Sequence, residues 1–304
     1  MKRLLPAVSV VIAMLILFSG FISAQSTASA SDSDQAGTSR RKPDQKPDRE
    51  FKGFNAYVRL RGTANSAGAL LKLDSSLGYD FNRAFGVFVG IPVYFAHDAA
   101  DPAAGISAAQ SNGLGDFYFG GEFYAPSRWV DYTSTVTFEA PTGNVAQGFS
   151  TGHFMADWSN RFRHNFGLLA PYLTAGLANT VPDTETLTRA FSSFGKIIHL
   201  EEGSDVNLTS RVYVGASLYQ IFPFGNQVVV SPLDSTTGNA PDPTVISGNN
   251  LTRENGFDTW AGFEPSRMVR MELGYSRSTT FDVNRASFGL SFNVGRMLRL
   301  RRSH

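Results

Sequence analysis

The sequence predicts an all-β protein, a transmembrane antiparallel up-and-down β-barrel of about 12 strands. Three observations lead there. From Phe54 onward, apolar and polar residues alternate with period two, with hardly a stretch of helical periodicity. The alternating runs reach the length of about nine to eleven residues that a tilted strand needs to cross lipid. The connections between them take turns, short ones against mostly longer ones, as in outer-membrane barrels.

The chain opens on Lys2 and Arg3, followed by the apolar run Leu4 to Phe21 and small residues at Ser23-Ala24 or Ala28-Ser29-Ala30. This reads as a secretory signal ending at 24, with an alternative end at 30. An uncleaved anchor is the competing reading. It is disfavoured because the run is short and no basic cluster follows it directly. Of the 27 basic residues, cleavage at 24 removes two, leaving 25 against 26 acidic ones. That balance argues against nucleic acid as a partner, since a binder needs a basic surface to neutralise phosphates. The absence of cysteine excludes a disulfide-stapled scaffold, thiolate metal sites and cysteine nucleophiles. Residues 25–52, containing "RRKPDQKPDRE", hold too little apolar surface to order themselves and read as a disordered periplasmic linker.

The barrel is expected over 53–298, with a basic tail at 299–304. Its strands read as 54–62, 69–81, 84–96, 114–125, 128–141, 152–163, 167–180, 193–202, 207–221, 257–264, 267–278 and 285–297. Trp129 to Ala140 shows the pattern: Asp131, Thr133, Thr135, Thr137 and Glu139 on one face, Val130, Tyr132, Val136 and Phe138 on the other. Short turns fall at Asn82, Pro126, His164, Ser204 and Pro265, and longer loops at 97–113, 142–151, 181–192 and 222–256. "APSRW" and "EPSRM" are related turns predicted on one side of the membrane, where Pro pre-sets the turn and Arg reaches the headgroups. Pro92 and Pro171 sit inside strands where a ladder amide is needed, which predicts bulges or breaks there. Lipid offers no partner to an unpaired amide, so the sheet must close with its apolar faces outward. A soluble β-sandwich is the competing architecture, but its strands would be shorter, about five or six residues. An even strand count returns the C-terminus to the periplasm, where the linker begins.

The stretches "GLGDFYFGGEFYAP" and "FEAPTGNVAQGFSTGHF" resemble the bacterial outer-membrane family assigned to the meta-pathway of phenol degradation, whose members are described as transporters. The elements that carry the resemblance are Gly113, Gly115 and Asp116, then Pro141 to Gly143, then the loop from Gly148 to Gly152. "SLYQIFPFG" and "ELGYSRS" are similar as well. The resemblance implies an outer-membrane barrel in a Gram-negative-type bacterium that passes small, aromatic or otherwise apolar molecules. Barrels of this class commonly finish on an aromatic residue read by the assembly machinery. Here Phe292 is followed by "NVGRMLRLRRSH", so either the last strand runs to Leu298 or its register is shifted.

"GFSTG", Gly148 to Gly152, has the spacing of a nucleophile elbow, but that chemistry needs a strand, a sharp turn and a helix, and here a loop joins two strands. A hydrolase using Ser150 with His153 is the minor alternative, and a non-conducting structural or adhesion barrel is another. His97, His153, His164, His199 and His304 show no metal-ligand spacing and read as surface or loop residues. "PDTET", Pro182 to Thr186, and Glu201-Glu202 read as solvated loop charges. The alternation assigns Lys72, Asp74, Asp80, Asp116, Glu122, Asp131, Glu139, Asp157, Arg161, Arg211, Arg270 and Glu272 to the lumen. Both signs are present, which suits a narrow pore or an electrostatic network that closes it. The expected partners are outer-membrane lipids, lipopolysaccharide, small solutes and the barrel assembly machinery. No cofactor and no metal are expected.

Overall fold

The computed structural model describes residues 53–98, 110–184, 187–233, 244–266 and 268–294. The expected signal, linker and basic tail lie outside the described residues. The strands are β1 (Gly53–Asn65), β2 (Gly68–Asp80), β3 (Phe85–Asp98), β4 (Gln110–Leu114), β5 (Phe117–Ala125), β6 (Asp131–Ala140), β7 (Met155–Arg163), β8 (Leu169–Ala178), β9 (Ser192–Phe194), β10 (Ile197–Asn207), β11 (Val212–Pro223), β12 (Asn226–Ser231), β13 (Thr244–Asn249), β14 (Glu254–Ser266), β15 (Val269–Ser278) and β16 (Val283–Asn293). No helix among the described residues is long and apolar enough to cross a membrane.

Every wall strand pairs antiparallel with its neighbours in sequence, and β1 pairs with β16 to close the sheet. Because β4 and β5 both pair with β3 as parts of one strand, the closed barrel has 12 strands. Closure leaves no unpaired edge, the condition for burying a sheet in lipid. The remaining strands, β9, β12 and β13, form a small separate sheet within the loops at one end. Five connections at the other end are short: 81–84, 126–130, 164–168, 208–211 and 267–268. At the opposite end lie loop 141–154, the described parts of 179–196 and 224–253, and the tight links 66–67 and 279–282. The turns at Pro126 and Pro265 therefore share an end, and there the Arg128 guanidinium lies 5.1 Å from the centre of the Trp129 ring.

Alternation along the pleat sorts the two faces. Phe117, Phe119 and Phe123 of β5, Trp158 and Phe162 of β7, and Leu173 and Leu177 of β8 are exposed on the outside. Asp74, Glu122, Asp157, Glu201 and Asp258 are buried on the inside. Among the described residues the outer face carries a charge halfway along a strand at Glu202 of β10, between Leu173 of β8 and Leu218 of β11, whereas its other charge, Arg277, lies at the loop end of β15. Two substitutions on this face should act in opposite directions. Val136→Arg, between Gly121 and Trp158, should lower stability by about 2–4 kcal/mol, and Glu202→Leu should raise it by about 1 kcal/mol. Denaturant titration of the barrel refolded into vesicles measures both, and shifts of the same sign would reverse the assigned facing.

Of the two prolines expected to disturb their strands, Pro92 lies at an irregularity and Pro171 does not, since β8 runs through it in unbroken register with β10. In a strand the N–H and C=O of one residue point the same way, so the side on which the Pro carbonyl accepts is the side on which its N–H is missing. Pro92 accepts from Gly115 N (2.9 Å), and the irregularity falls there, between β4 and β5. Three residues, Gly115 to Phe117, oppose Ile91 and Pro92, since Val93 pairs with Leu114 and Gly90 with Tyr118. A Cβ on Gly115 would run into the Tyr94 and Pro92 rings, so only glycine permits this close approach. Pro171 accepts from His164 N (3.0 Å) beyond the last residue of β7, where no ladder partner is required.

One turn lies later than the sequence suggests. The expected turn near Ser204 is instead at 208–211, where Thr209 Oγ1 accepts from the amides of Arg211 and Val212. Such a turn, closed by a threonine hydroxyl without Gly or Pro, leaves little compositional trace. The run read as 193–202 is also divided. Gly195, at φ +147°, separates β9 from the wall strand β10. The last strand ends at Asn293, with Phe292 paired to Val58 and Val269.

Candidate functional site: the barrel lumen

Large rings lie across the inner wall at several places where a neighbouring strand presents glycine. Trp260 covers Gly215, Tyr219 covers Gly256, Tyr213 covers Gly262 and Tyr172 covers Gly203; in each case a Cβ would overlap the ring. The glycines are thus what lets a barrel of this width fill with aromatic side chains, and the phenol hydroxyls reach charged partners.

Near the short-turn end, Tyr172 donates to Glu201 (2.7 Å) and the Arg161 guanidinium lies 4.0 Å from the Tyr172 ring centre. Arg163 pairs with Asp205 (3.0 Å), which also accepts from the Trp260 indole (3.1 Å). Arg270 pairs with Glu272 (3.0 Å) and donates to the Tyr213 hydroxyl, which in turn donates to Glu272.

Towards the loop end, Glu254 is held between Arg189 (2.5 Å) and Arg285 (2.8 Å), and Tyr219 donates to it (3.0 Å). Arg189 belongs to loop 179–196, so this cluster ties the loop to the wall. Two more contacts hold the loop inside, Lys72 with Asp183 (3.0 Å) and Arg61 with the Thr184 carbonyl (3.3 Å), and Arg189 Nε donates within the loop to the Pro182 carbonyl (2.9 Å). Leu187 and Thr188 on this loop are buried. Across the lumen, Tyr118 donates to Asp74 (2.7 Å), with Arg59 at 4.0 Å, and Asp157 accepts from Ser159 (2.7 Å) and lies 2.8 Å from His199 Nε2.

Of the twelve residues assigned to the lumen by alternation, ten project inward from strands. Lys72, Asp74, Asp157, Arg161, Arg270 and Glu272 belong to the networks above. Asp80, at the short-turn end of β2, accepts from Asn55 (2.8 Å). Glu122, Asp131 and Glu139 also lie on inner faces, Glu122 being 3% exposed and Asp131 opposite Arg163. Asp116 lies in the bulge between β4 and β5. It accepts from Gly143 N (2.8 Å) and Ser150 Oγ (3.0 Å), so it clamps loop 141–154 to the wall. Arg211 is the exception: it is exposed in turn 208–211, just before β11 begins.

Three sequence readings are corrected. His199, taken as a surface residue, is fully buried against Asp157 because it stands on the inner face of β10 opposite Gly176. Glu201, taken as a solvated loop charge, is buried on the same face. Asp183 of the "PDTET" run pairs inside the lumen with Lys72. The alternation also left out Arg59, Arg163, Arg189, Asp205, Glu254, Asp258 and Arg285. The signal for Asp205 and Glu254 existed, but the strand limits drawn at 202 and 257 cut it off.

The nucleophile-elbow spacing at Ser150 does not assemble a hydrolytic pair. The buried Ser150 hydroxyl donates to Asp116, and His153 Nδ1 lies 2.8 Å from the Thr151 carbonyl with its ring stacked on Phe194. Among the described residues no group of three or more His, Asp or Glu is placed to hold a metal ion.

No family model and no curated protein matches the chain. Among solved structures it is similar to the COG4313 outer membrane channel from Pseudomonas putida F1, with a TM-score of 0.52 and 11% identity over 82% of this chain and 99% of that one. The KdgM porin aligns with a TM-score of 0.47 and 10% identity, over 78% of this chain and 98% of that one. For the NanC porin the values are 0.43 and 7%, over 77% and 98%. The fold is that of an outer-membrane β-barrel.

Proposed function

We propose that this protein is an outer-membrane channel for small solutes, with both termini periplasmic and loop 179–196 as its constriction. The observation that carries this reading is the contrast between the two faces of one closed sheet. The outer face is apolar, and the inner face bears charged groups of both signs with a loop fastened among them. A purely structural barrel has no need of an inward loop held by side chains that ions and solutes can compete for. A hydrolase is disfavoured by the engagement of Ser150 with Asp116. The family resemblance adds small aromatic or apolar molecules as solutes and a place in phenol breakdown. Lipopolysaccharide and outer-membrane lipids would surround the wall, and the assembly machinery would insert it.

Recording from the purified protein in planar bilayers tests the proposal. Discrete conductance steps, or swelling of loaded liposomes in small solutes, are expected. The absence of both overturns it. The topology has its own test, since protease added to intact cells should cut first within 222–256. First cleavage at Pro126 would invert the orientation.

A further inference from the structure

Between loop 179–196 and the inner faces of β2, β3, β5, β6 and β7 lies a cavity of about 80 Å³. Four carboxylates face it, Asp116, Glu139, Asp157 and Asp183, against the cations Lys72 and Arg189. Both cations are already engaged, Lys72 by Asp183 and Arg189 by Glu254. Asp116 and Asp157 have their own donors, as described above. Two acceptors are left over. Glu139, partly buried, has no hydrogen-bond donor among the described residues and feels the charge of Lys72, which Asp183 already holds. The Thr137 hydroxyl, two residues earlier on the same face of β6, is buried without a partner on a residue 6% exposed. One side of the cavity is aromatic, where Tyr94 stacks on Phe149 at 5.6 Å, and the Lys72 ammonium already lies 5.6 Å from the Tyr94 ring centre.

We infer that this cavity binds the ammonium head of a small organic cation, a primary amine on an aromatic or apolar body. The inference rests on the channel reading and names its solute class. A partly buried carboxylate and a buried hydroxyl without donors among the described residues call for a donor-rich ligand, and an ammonium offers three N–H groups and a charge that an aromatic face also attracts. An anion would meet an excess of carboxylates with no cation left to receive it. The volume equals that of about two or three waters, which suits a head group with its body extending along the lumen.

The test uses the full chain in lipid nanodiscs, titrated calorimetrically with 2-phenylethylammonium chloride and with the matched anion 3-phenylpropionate. Saturable binding of the ammonium and none of the carboxylate is expected. Glu139→Gln, nearly the same shape, should weaken binding by about tenfold or more, and Thr137→Val by a smaller factor. Heat-modifiable migration on gels verifies that each variant is folded. Equal affinity in the native protein and Glu139→Gln, or no saturable ammonium binding, overturns the inference and leaves the cavity to water alone. The two readings fail separately. Conductance without ammonium binding removes the site and keeps the channel, while ammonium binding without conductance removes the channel and keeps the site.

Discussion

Glu254→Ala should lower the unfolding free energy of the barrel by about 3–5 kcal/mol, the cost of leaving buried charge uncompensated. Glu254 is 1% exposed and is the shared partner of Arg189, Arg285 and Tyr219. Without it two guanidinium groups face each other inside the wall with no anion between them. Glu254→Gln keeps the shape and one acceptor oxygen, so it should fall between the two. The contrast is the exposed pair of Arg277 and Asp282, whose side chains are 42% and 81% exposed. There Asp282→Ala should cost less than about 1 kcal/mol, since water screens the charges. Urea titrations of the vesicle-inserted barrel give all three values. Similar losses for Glu254→Ala and Asp282→Ala would mean that water reaches the Glu254 cluster and that the loop is not sealed to the wall there.

Arg189→Ala should raise single-channel conductance severalfold. Arg189 is the one described residue of loop 179–196 whose side chain reaches both the Glu254 cluster on the wall and the backbone of its own loop at Pro182. Removing it leaves the Lys72 to Asp183 pair and the Arg61 contact to hold a loop that no longer has its central fastening. Lys72→Met, which releases only the Asp183 end, should have the smaller effect on conductance. Unchanged conductance in Arg189→Ala would show that the narrowest point lies among Arg161, Tyr172 and Trp260 nearer the short-turn end. The variant retains the pair between Glu254 and Arg285, so the barrel itself should stay closed and heat-modifiable.

Much of the wall was legible because lipid on one side and a polar lumen on the other write a period of two into every spanning strand. Thr135, Thr137 and Glu139 could be placed on one face from that period alone. What it could not convey is which residues meet across the lumen. Lys72 and Asp183 are 111 positions apart, and Arg189 reaches Glu254 from 65 positions away. Those meetings depend on strand stagger and on a loop that turns inward. Asp183 looked like an ordinary loop acid because nothing local distinguishes a loop that projects into water from one that folds into a barrel. His199 was misplaced for a related reason: both faces of its run mix apolar and charged residues, Ile197 with Glu201 and Leu200 with Glu202, so alternation there does not say which face turns inward.

The sequence by itself determined the class of fold, the facing of most strands, the irregularity at Pro92 and the shared end of the Pro126 and Pro265 turns. Each of these follows from local pattern, chain length and the need to satisfy backbone groups in lipid. Only the tertiary structure decided that Asp116 clamps a loop, that Glu254 gathers two arginines, and that Glu139 and Thr137 face one cavity without hydrogen-bond donors among the described residues. These are relations between side chains brought together by closing the sheet, and a one-dimensional pattern holds no record of which neighbours closure supplies.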